Sequence, residues 1–216
     1  MNEQIKERWH EATNELMIKL EIKGIDFSKL NAIELFGRDG TWQTKKFGEK
    51  VKNIEIWEID PKWKNKLKEN IPNAVVKIRD SISMLKTEGE LPKFDLIIID
   101  NPMNVFGNMQ KDSGVYCEHF EVLENFHKLC QNDVLIVFNV NRKPFDYMKN
   151  PSWVKRRNEF YKTTNTNDMK IEYLLDFYQN KFYELGFTTI FRINVIRVFF
   201  QEYDMTHYFA YKLKKN

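Results

Sequence analysis

Apolar residues fall into two rhythms along this chain. In the first segment Ile5, Trp9, Leu16, Met17 and Leu20 recur at helical spacing, one apolar stripe on an otherwise charged helix. From residue 31 onward, short apolar runs alternate with helical stripes. Runs at 31–36, 53–59, 74–78 and 94–99 predict strands, separated by predicted helices at 41–47, 62–70 and 81–86. In the second of these helices Trp63 and Leu67 share a face, and Pro61 takes the tolerated first position. The run at 94–99 has no polar alternation, which suits a strand covered on both faces in a parallel sheet. Val122, Leu123, Phe126, Leu129 and Cys130 form a further helical stripe before a strand at 133–140.

The alternation then pauses. Residues 141–170 are rich in Asn, Thr and Lys, carry Pro144 and Pro151, and read as a lid or substrate loop. A helix resumes with Ile171, Leu174, Leu175, Tyr178, Phe182 and Leu185, and Gly186 closes it. Strands at 188–200 and 207–213 follow. Their connection is too short for a parallel crossover, so they form an antiparallel pair. The expected architecture is α/β, with helices on both faces of a mostly parallel sheet in a single domain over 1–216 and an N-terminal helical extension over 1–30.

Composition narrows this picture only slightly. The 42% hydrophobic and 14% aromatic content is that of a folded protein. With 34 basic residues against 31 acidic ones, the net charge of +3 provides no global field for nucleic acid or an anionic membrane. Cys117 and Cys130 are too few for a disulfide framework or a four-cysteine zinc site and read as reduced thiols, which fits a cytoplasmic protein. No signal-peptide core or 18-residue apolar stretch occurs, so a soluble, unprocessed chain is expected. The four histidines give no ligand pair at helical spacing, and no HEXXH, CXXC or Walker sequence is present, so no metal is expected.

The chemistry gathers where strands end. The first ends Glu34, Leu35, Phe36, Gly37, Arg38, Asp39, Gly40, a glycine-bearing turn that serves equally as a structural turn or as a close approach to a ligand. The second ends Glu58, Ile59, Asp60, which places a carboxylate able to accept both hydroxyls of a ribose. The third ends Asp80, Ser81 and the fourth Asp100, Asn101, Pro102. Four polar endings on one sheet edge mark the edge at which open α/β sheets bind ligands. Beyond them, His119 reads either as a general base oriented by Glu118 or Glu121 or as a surface histidine at a helix start. Asn139 and Asn141 can bond a substrate or close a turn. The run Lys155, Arg156, Arg157 among Trp153, Phe160 and Tyr161 reads as a phosphate-and-base contact or as a solvated loop. Lys62, Lys64, Lys66 and Lys68 cannot share one helical face and read as solubilising.

The order of these endings, closed by an antiparallel final strand, resembles the class I S-adenosylmethionine-dependent methyltransferases. The resemblance implies a three-layer Rossmann-like sandwich with a seven-stranded sheet, S-adenosyl-L-methionine as cofactor, and a methyl acceptor that is either a small molecule or a nucleic acid. By that resemblance Gly37 and Gly40 border the methionine part of the cofactor, Glu58 holds the ribose, Asp80 and Ser81 approach the adenine, and Asp100 faces the transferred methyl. Glu34, Phe36 and Ile59 complete the candidate cofactor-binding set, and Asp100, Asn101 and His119 are the candidate catalytic residues. Phe36, Arg38 and Asp39 depart from the family's first motif, where small residues are usual. Asn101 and Pro102 match half of the Asn-Pro-Pro-aromatic motif of amino-group methyltransferases, which Met103 and Asn104 do not complete. The turn followed by Glu58, Ile59, Asp60 also resembles the spermidine synthase branch, so an aminopropyltransferase is an alternative. A non-catalytic nucleoside-binding module with a decayed turn is another.

Overall fold

The computed structural model describes residues 3–87, 89–100, 104–105, 116–142, 151–166, 169–198 and 205–216. The alternating rhythm becomes alternating structure: α1 (Glu3–Ile22), β1 (Asn31–Glu34), α2 (Gln43–Gly48), β2 (Asn53–Glu58), α3 (Lys64–Asn70), β3 (Ala74–Ile78), α4 (Ser81–Thr87) and β4 (Phe94–Ile99). A two-residue ribbon follows, β5 (Asn104–Val105) against β6 (Tyr116–Cys117), then α5 (Phe120–Asn125), β7 (Cys130–Asn141), α6 (Pro151–Tyr161), α7 (Ile171–Glu184), β8 (Phe187–Val198) and β9 (Met205–Lys215).

The main sheet has seven strands in the order β3-β2-β1-β4-β7-β9-β8. β3, β2, β1, β4 and β7 run parallel, while β9 lies antiparallel to both β7 and β8. The single reversed strand is therefore the last in sequence, inserted between β7 and β8, as the short final connection predicts. The chain builds outward from β1 to β3 and then returns to β4 on the other side of β1. Strand order thus reverses between β1 and β4, the point at which open α/β sheets form a crevice beyond the carboxyl ends of their strands.

Each face of the sheet carries its own core. On one, Ala32, Ile54, Ile56, Leu96, Ile98 and Val137 pack under Leu16, Met17 and Leu20 of α1, Phe47 of α2 and Leu67 of α3. On the other, Ile33, Trp57, Ile97, Ile99, Ile136 and Phe138 pack under α4, α5, α6 and α7. Successive strand residues alternate between the two, which is why the central strands read as unbroken apolar runs. The stripe expected on the first helix is buried at Leu16, Met17 and Leu20; the side chains of Ile5 and Trp9 lie outside the described residues. In α7 the buried Leu174, Tyr178 and Phe182 recur every fourth residue, and Gly186 at φ 86° follows the helix end.

Two expectations need correction. The stripe at 122–130 is not one helix: α5 stops at Asn125, a 3₁₀ turn spans Phe126–Leu129, and Cys130 opens β7. Nor is 141–170 a continuous loop, because it contains α6, which buries Trp153, Arg157 and Tyr161. Of the two cysteines, Cys130 is a buried free thiol donating to the Phe126 carbonyl at 3.3 Å, and burial pushes its pKa up to about 12. Among the described residues no helix is long and apolar enough to cross a membrane, and no group of His, Cys, Asp and Glu is arranged to hold a metal ion.

Candidate cofactor and acceptor site

Glu34, Glu58 and Asp100 come from three adjacent strands and, by alternation along each strand, share the sheet face that carries α1, α2 and α3. Glu34 is fully buried. Its Oε1 accepts the amides of Phe36 at 2.9 Å and Asp100 at 3.1 Å, and its Oε2 accepts the Thr44 hydroxyl at 2.8 Å. This one carboxyl ties the β1 turn, the start of α2 and the end of β4 together. Burial, then the nearby Asp100 charge, raise its pKa to about 8. The role of Glu34 is thus to shape the crevice.

The turn itself is built by packing from behind. A β-carbon at Gly37 would collide with Ile56 Cγ2, and one at Gly40 would lie 2.9 Å from Leu67 Cδ2, with Gly40 at φ 71°. Both glycines let the turn lie flat on β2 and α3. Arg38, where the resemblance expects a small residue, sits at φ 46° in the left-handed region. Its guanidinium lies 5.8 Å from the ring centroids of both Trp42 and Trp63. The turn therefore keeps a glycine-like backbone while carrying an arginine, which counts against a decayed turn. Phe36 is half-buried against the opposite core.

Glu58 closes the turn's other side. Its Oε2 accepts the Arg38 amide at 2.5 Å and its Oε1 the Asp60 amide at 2.7 Å. Each oxygen retains capacity for one further donor, as two ribose hydroxyls require. Burial raises its pKa, and the bonds from the Asp60 and Arg38 amides oppose that shift. Ile59 is exposed next to it. Asp80 is exposed and caps α4 through Oδ1, which accepts the Ile82 amide at 3.0 Å and the Ser83 amide at 3.3 Å. Ser81 is buried and donates its hydroxyl to the Leu35 carbonyl at 2.5 Å, so this side chain joins the β3 end to the β1 end.

Asp100 lies across the crevice. Asn139 Nδ2 donates to its Oδ1 at 2.9 Å, and among the described residues no hydrogen bond reaches Oδ2. Its pKa is raised to about 7 by burial, against the Asn139 bond and the positive charges of Arg197 and Arg38. Tyr208 is paired in register with Asn139 on β7, and Arg197 on β8, whose Nη2 donates to the Thr206 hydroxyl at 3.0 Å, lies close enough to act on the Tyr208 hydroxyl electrostatically. Asp100, Asn139, Tyr208 and Arg197 therefore make a polar row across four adjacent strands, β4, β7, β9 and β8, at the same sheet edge. No sequence signal marked Tyr208 or Arg197, because they lie on an antiparallel pair far along the chain.

No family model matches the chain, and no curated protein matches it either. Solved structures do. M. jannaschii TYW2 in complex with AdoMet superposes with a TM-score of 0.53 at 14% identity, covering 98% of this chain and 76% of that one. The N-methyltransferase NodS from Bradyrhizobium japonicum, in complex with S-adenosyl-L-homocysteine, gives 0.51 at 12% identity over 85% of this chain and 78% of that one. NodS in a second structure gives 0.55 at 12% identity over 93% and 97%. The fold is that of the S-adenosylmethionine-dependent methyltransferases.

On this methyltransferase fold the remaining candidates separate. Asn101 and Pro102 lie outside the described residues. His119 does not stand at the crevice mouth as expected. It is 0% exposed, packed among Phe120, Phe138, Phe160 and Tyr178, with Nε2 at 2.8 Å from the Tyr178 hydroxyl. Burial, and then the Arg157 charge, lower its pKa to about 3, so it is a neutral core histidine and a poor proton acceptor. Glu118 and Glu121 each hold an arginine. Glu118 pairs with Arg157 at 2.6 Å and accepts Trp153 Nε1 at 2.8 Å, while Glu121 pairs with Arg156. The basic run does not face one way: Arg157 is fully buried, Arg156 pairs with Glu121, and the exposed Lys155 lies 3.8 Å from Glu159. Asn141 uses its backbone carbonyl, which accepts from Arg157 at 3.3 Å.

Proposed function

We propose that the chain is a transferase that binds S-adenosylmethionine in the crevice between β1 and β4 and delivers its methyl group to an acceptor held at Asp100. The observation that carries this reading is the convergence of Glu34, the Gly37–Gly40 turn, Glu58 and Asp100 at the strand-order reversal. The residues present fit that cofactor. Glu58 has acceptor capacity for a ribose, and its carboxylate stands at the same sheet edge as that of Asp100.

When bound, S-adenosylmethionine supplies an already activated methyl group on a sulfonium. The chain's contribution is alignment and exclusion of water. Glu58 fixes the turn through the Arg38 and Asp60 amides and accepts the ribose hydroxyls. Asp100, oriented through Oδ1 by Asn139, accepts the acceptor's proton on Oδ2. A carboxylate whose pKa is raised to about 7 is a far better proton acceptor near neutrality than an ordinary aspartate. Transfer should therefore speed up as pH rises through about 7, as Asp100 ionises.

Titration calorimetry with S-adenosylmethionine and S-adenosylhomocysteine is the direct test. Binding at micromolar levels, weakened at least tenfold by Glu58→Ala, is expected; binding of neither ligand would remove the reading. Incubation with methyl-labelled cofactor and separated small-molecule and RNA fractions then assigns the acceptor class. Intact binding with label in no fraction would leave a binding module and remove the transferase. Release of methylthioadenosine from decarboxylated cofactor would favour aminopropyl transfer instead.

A further inference from the structure

β8 ends the sheet on the side of β9, so a long charged side chain on it has water to turn toward. Arg197 turns the other way. It pairs in register with Thr206 of β9, and its Nη2 donates to the Thr206 hydroxyl at 3.0 Å, so the guanidinium leans inward across the sheet. By alternation from the core residues Val195, Val137 and Ile98, the side chains of Arg197, Asn139 and Asp100 rise from the same face of the sheet as Tyr208. Arg197 is half-buried, Thr206 and Tyr208 are buried, and the Arg197 charge acts on both the Tyr208 hydroxyl and the Asp100 carboxyl.

The polar row is therefore dipolar. Its cation stands on β8 and its carboxylate on β4, with the neutral Tyr208 and Asn139 between them. Three strand spacings put the two backbones about 14 Å apart. Within that span the end groups lean toward each other, Arg197 over β9 and Asp100 onto Asn139 of β7. The second cation acting on Asp100, Arg38, belongs to the β1 turn and lies against the rings of Trp42 and Trp63. A carboxylate at one end repels an anion and a guanidinium at the other attracts one, so the row takes an anionic ligand in one direction only, with its charge at β8. The planar fork of a guanidinium matches a carboxylate or a phosphate. One cation in so short a row suits one anionic group, whereas a polynucleotide is held by many. The basic run at 155–157 does not extend the row, because Arg156 and Arg157 are each held by a glutamate.

We infer that the acceptor is a small molecule bearing a carboxylate or a phosphate, and that Arg197 holds this anion while Asp100 meets the acceptor's nucleophile. This rests on the transferase reading above and deepens it by naming the substrate class and the residue that selects it. The anion anchors the acceptor at a fixed distance from Asp100, so that its nucleophile and not its charged end faces the methyl donor. Thr206 is a positioning residue, acting through the bond that turns the guanidinium inward.

Two measurements test this. In the first, acetate and inorganic phosphate are titrated into the chain saturated with S-adenosylhomocysteine, and the Arg197 Nε–H signal, assigned by its loss in Arg197→Lys, is followed by NMR. At least one of the two should shift it saturably at millimolar levels, the tighter naming the group, while chloride at matched ionic strength should not. Response to neither, or an equal response to chloride, would overturn the inference. In the second, methyl-labelled S-adenosylmethionine is incubated with an RNA fraction and with a small-molecule pool split by anion exchange. Label should enter the retained, anionic small molecules. With the labelled acceptor purified from that fraction, Arg197→Gln should raise KM about ten- to a hundredfold and leave kcat within about threefold, and Arg197→Lys should recover part of the loss. Thr206→Val should raise KM several-fold, which covers the case in which Arg197→Gln fails to fold. Label only in RNA or in cationic or neutral molecules, or a loss confined to kcat, would overturn the inference and leave Arg197 a structural partner of Thr206. Failure to bind S-adenosylhomocysteine, or label in no fraction, would instead remove the reading on which it rests.

Discussion

Arg38 shows how a single residue can depart from a motif without abolishing its shape. At φ 46° it holds a conformation that costs an L-residue roughly 1–2 kcal/mol, and its guanidinium between Trp42 and Trp63 offsets part of that. Replacing it by Ala keeps the backbone cost and loses the ring contacts; replacing it by Gly loses both. Gly is more flexible when unfolded, which takes back about 0.4–1 kcal/mol. Arg38→Gly should therefore be more stable than Arg38→Ala by about 0.5–1 kcal/mol in urea unfolding, and equal stability would mean the turn relaxes out of the left-handed region. Glu34 lends itself to a pH test. Its folded pKa is raised from 4.5 to about 8, so the folded chain holds that proton more tightly than the unfolded chain does. The stability so gained is complete below about 4.5 and is lost as pH rises through about 8. Glu34→Gln, whose amide can still bond Thr44 and the two backbone amides, should flatten the decline in urea midpoint between about pH 5 and about pH 9. An unchanged slope would place the titration elsewhere. Neither property was legible in the sequence, where Glu34 is one acidic residue before a turn and Arg38 a mismatch; what decides both is burial and backbone angle.

At the scale of elements, α6 shows why hydropathy alone reads residues 141–170 as a loop. Its buried face is Trp153, Arg157 and Tyr161, a correct every-fourth-residue spacing whose middle member is a charge. A reading by hydropathy assigns Arg157 to solvent, whereas Glu118, at the start of the segment leading into α5, supplies the counter-charge that lets it be buried. The ribbon of β5 and β6 carries no sequence signal for a simpler reason, since two-residue strands show no periodicity. The pair makes a sharp prediction. Arg157→Met alone or Glu118→Leu alone leaves one buried charge uncompensated and should cost about 3–5 kcal/mol, while the double variant should recover more than half of either loss. Additive losses in chemical denaturation would show that the two side chains do not act as a pair.

Over the whole molecule, the central strands were legible because a strand covered on both faces must be apolar throughout, leaving its polar residues only at the ends. Four such endings in chain order fall on one sheet edge, and the short final connection gave the reversed strand. The sequence pattern could not show which endings meet. The meeting point is fixed by the placement of β4 beside β1, so that a ligand bound there would touch both halves of the sheet at once. That geometry has a consequence for stability. A ligand present at about a hundred times its Kd, bound only to the folded state, adds about 2.7 kcal/mol. For a domain of this size that is a rise of about 5–10 °C in Tm. Because the crevice joins β1 to β4, saturating S-adenosylhomocysteine should slow amide exchange in β4 and β7 as strongly as in β1 and β2. Protection confined to β1, β2 and the glycine turn would place the ligand on one half alone, and would separate Asp100 from the site.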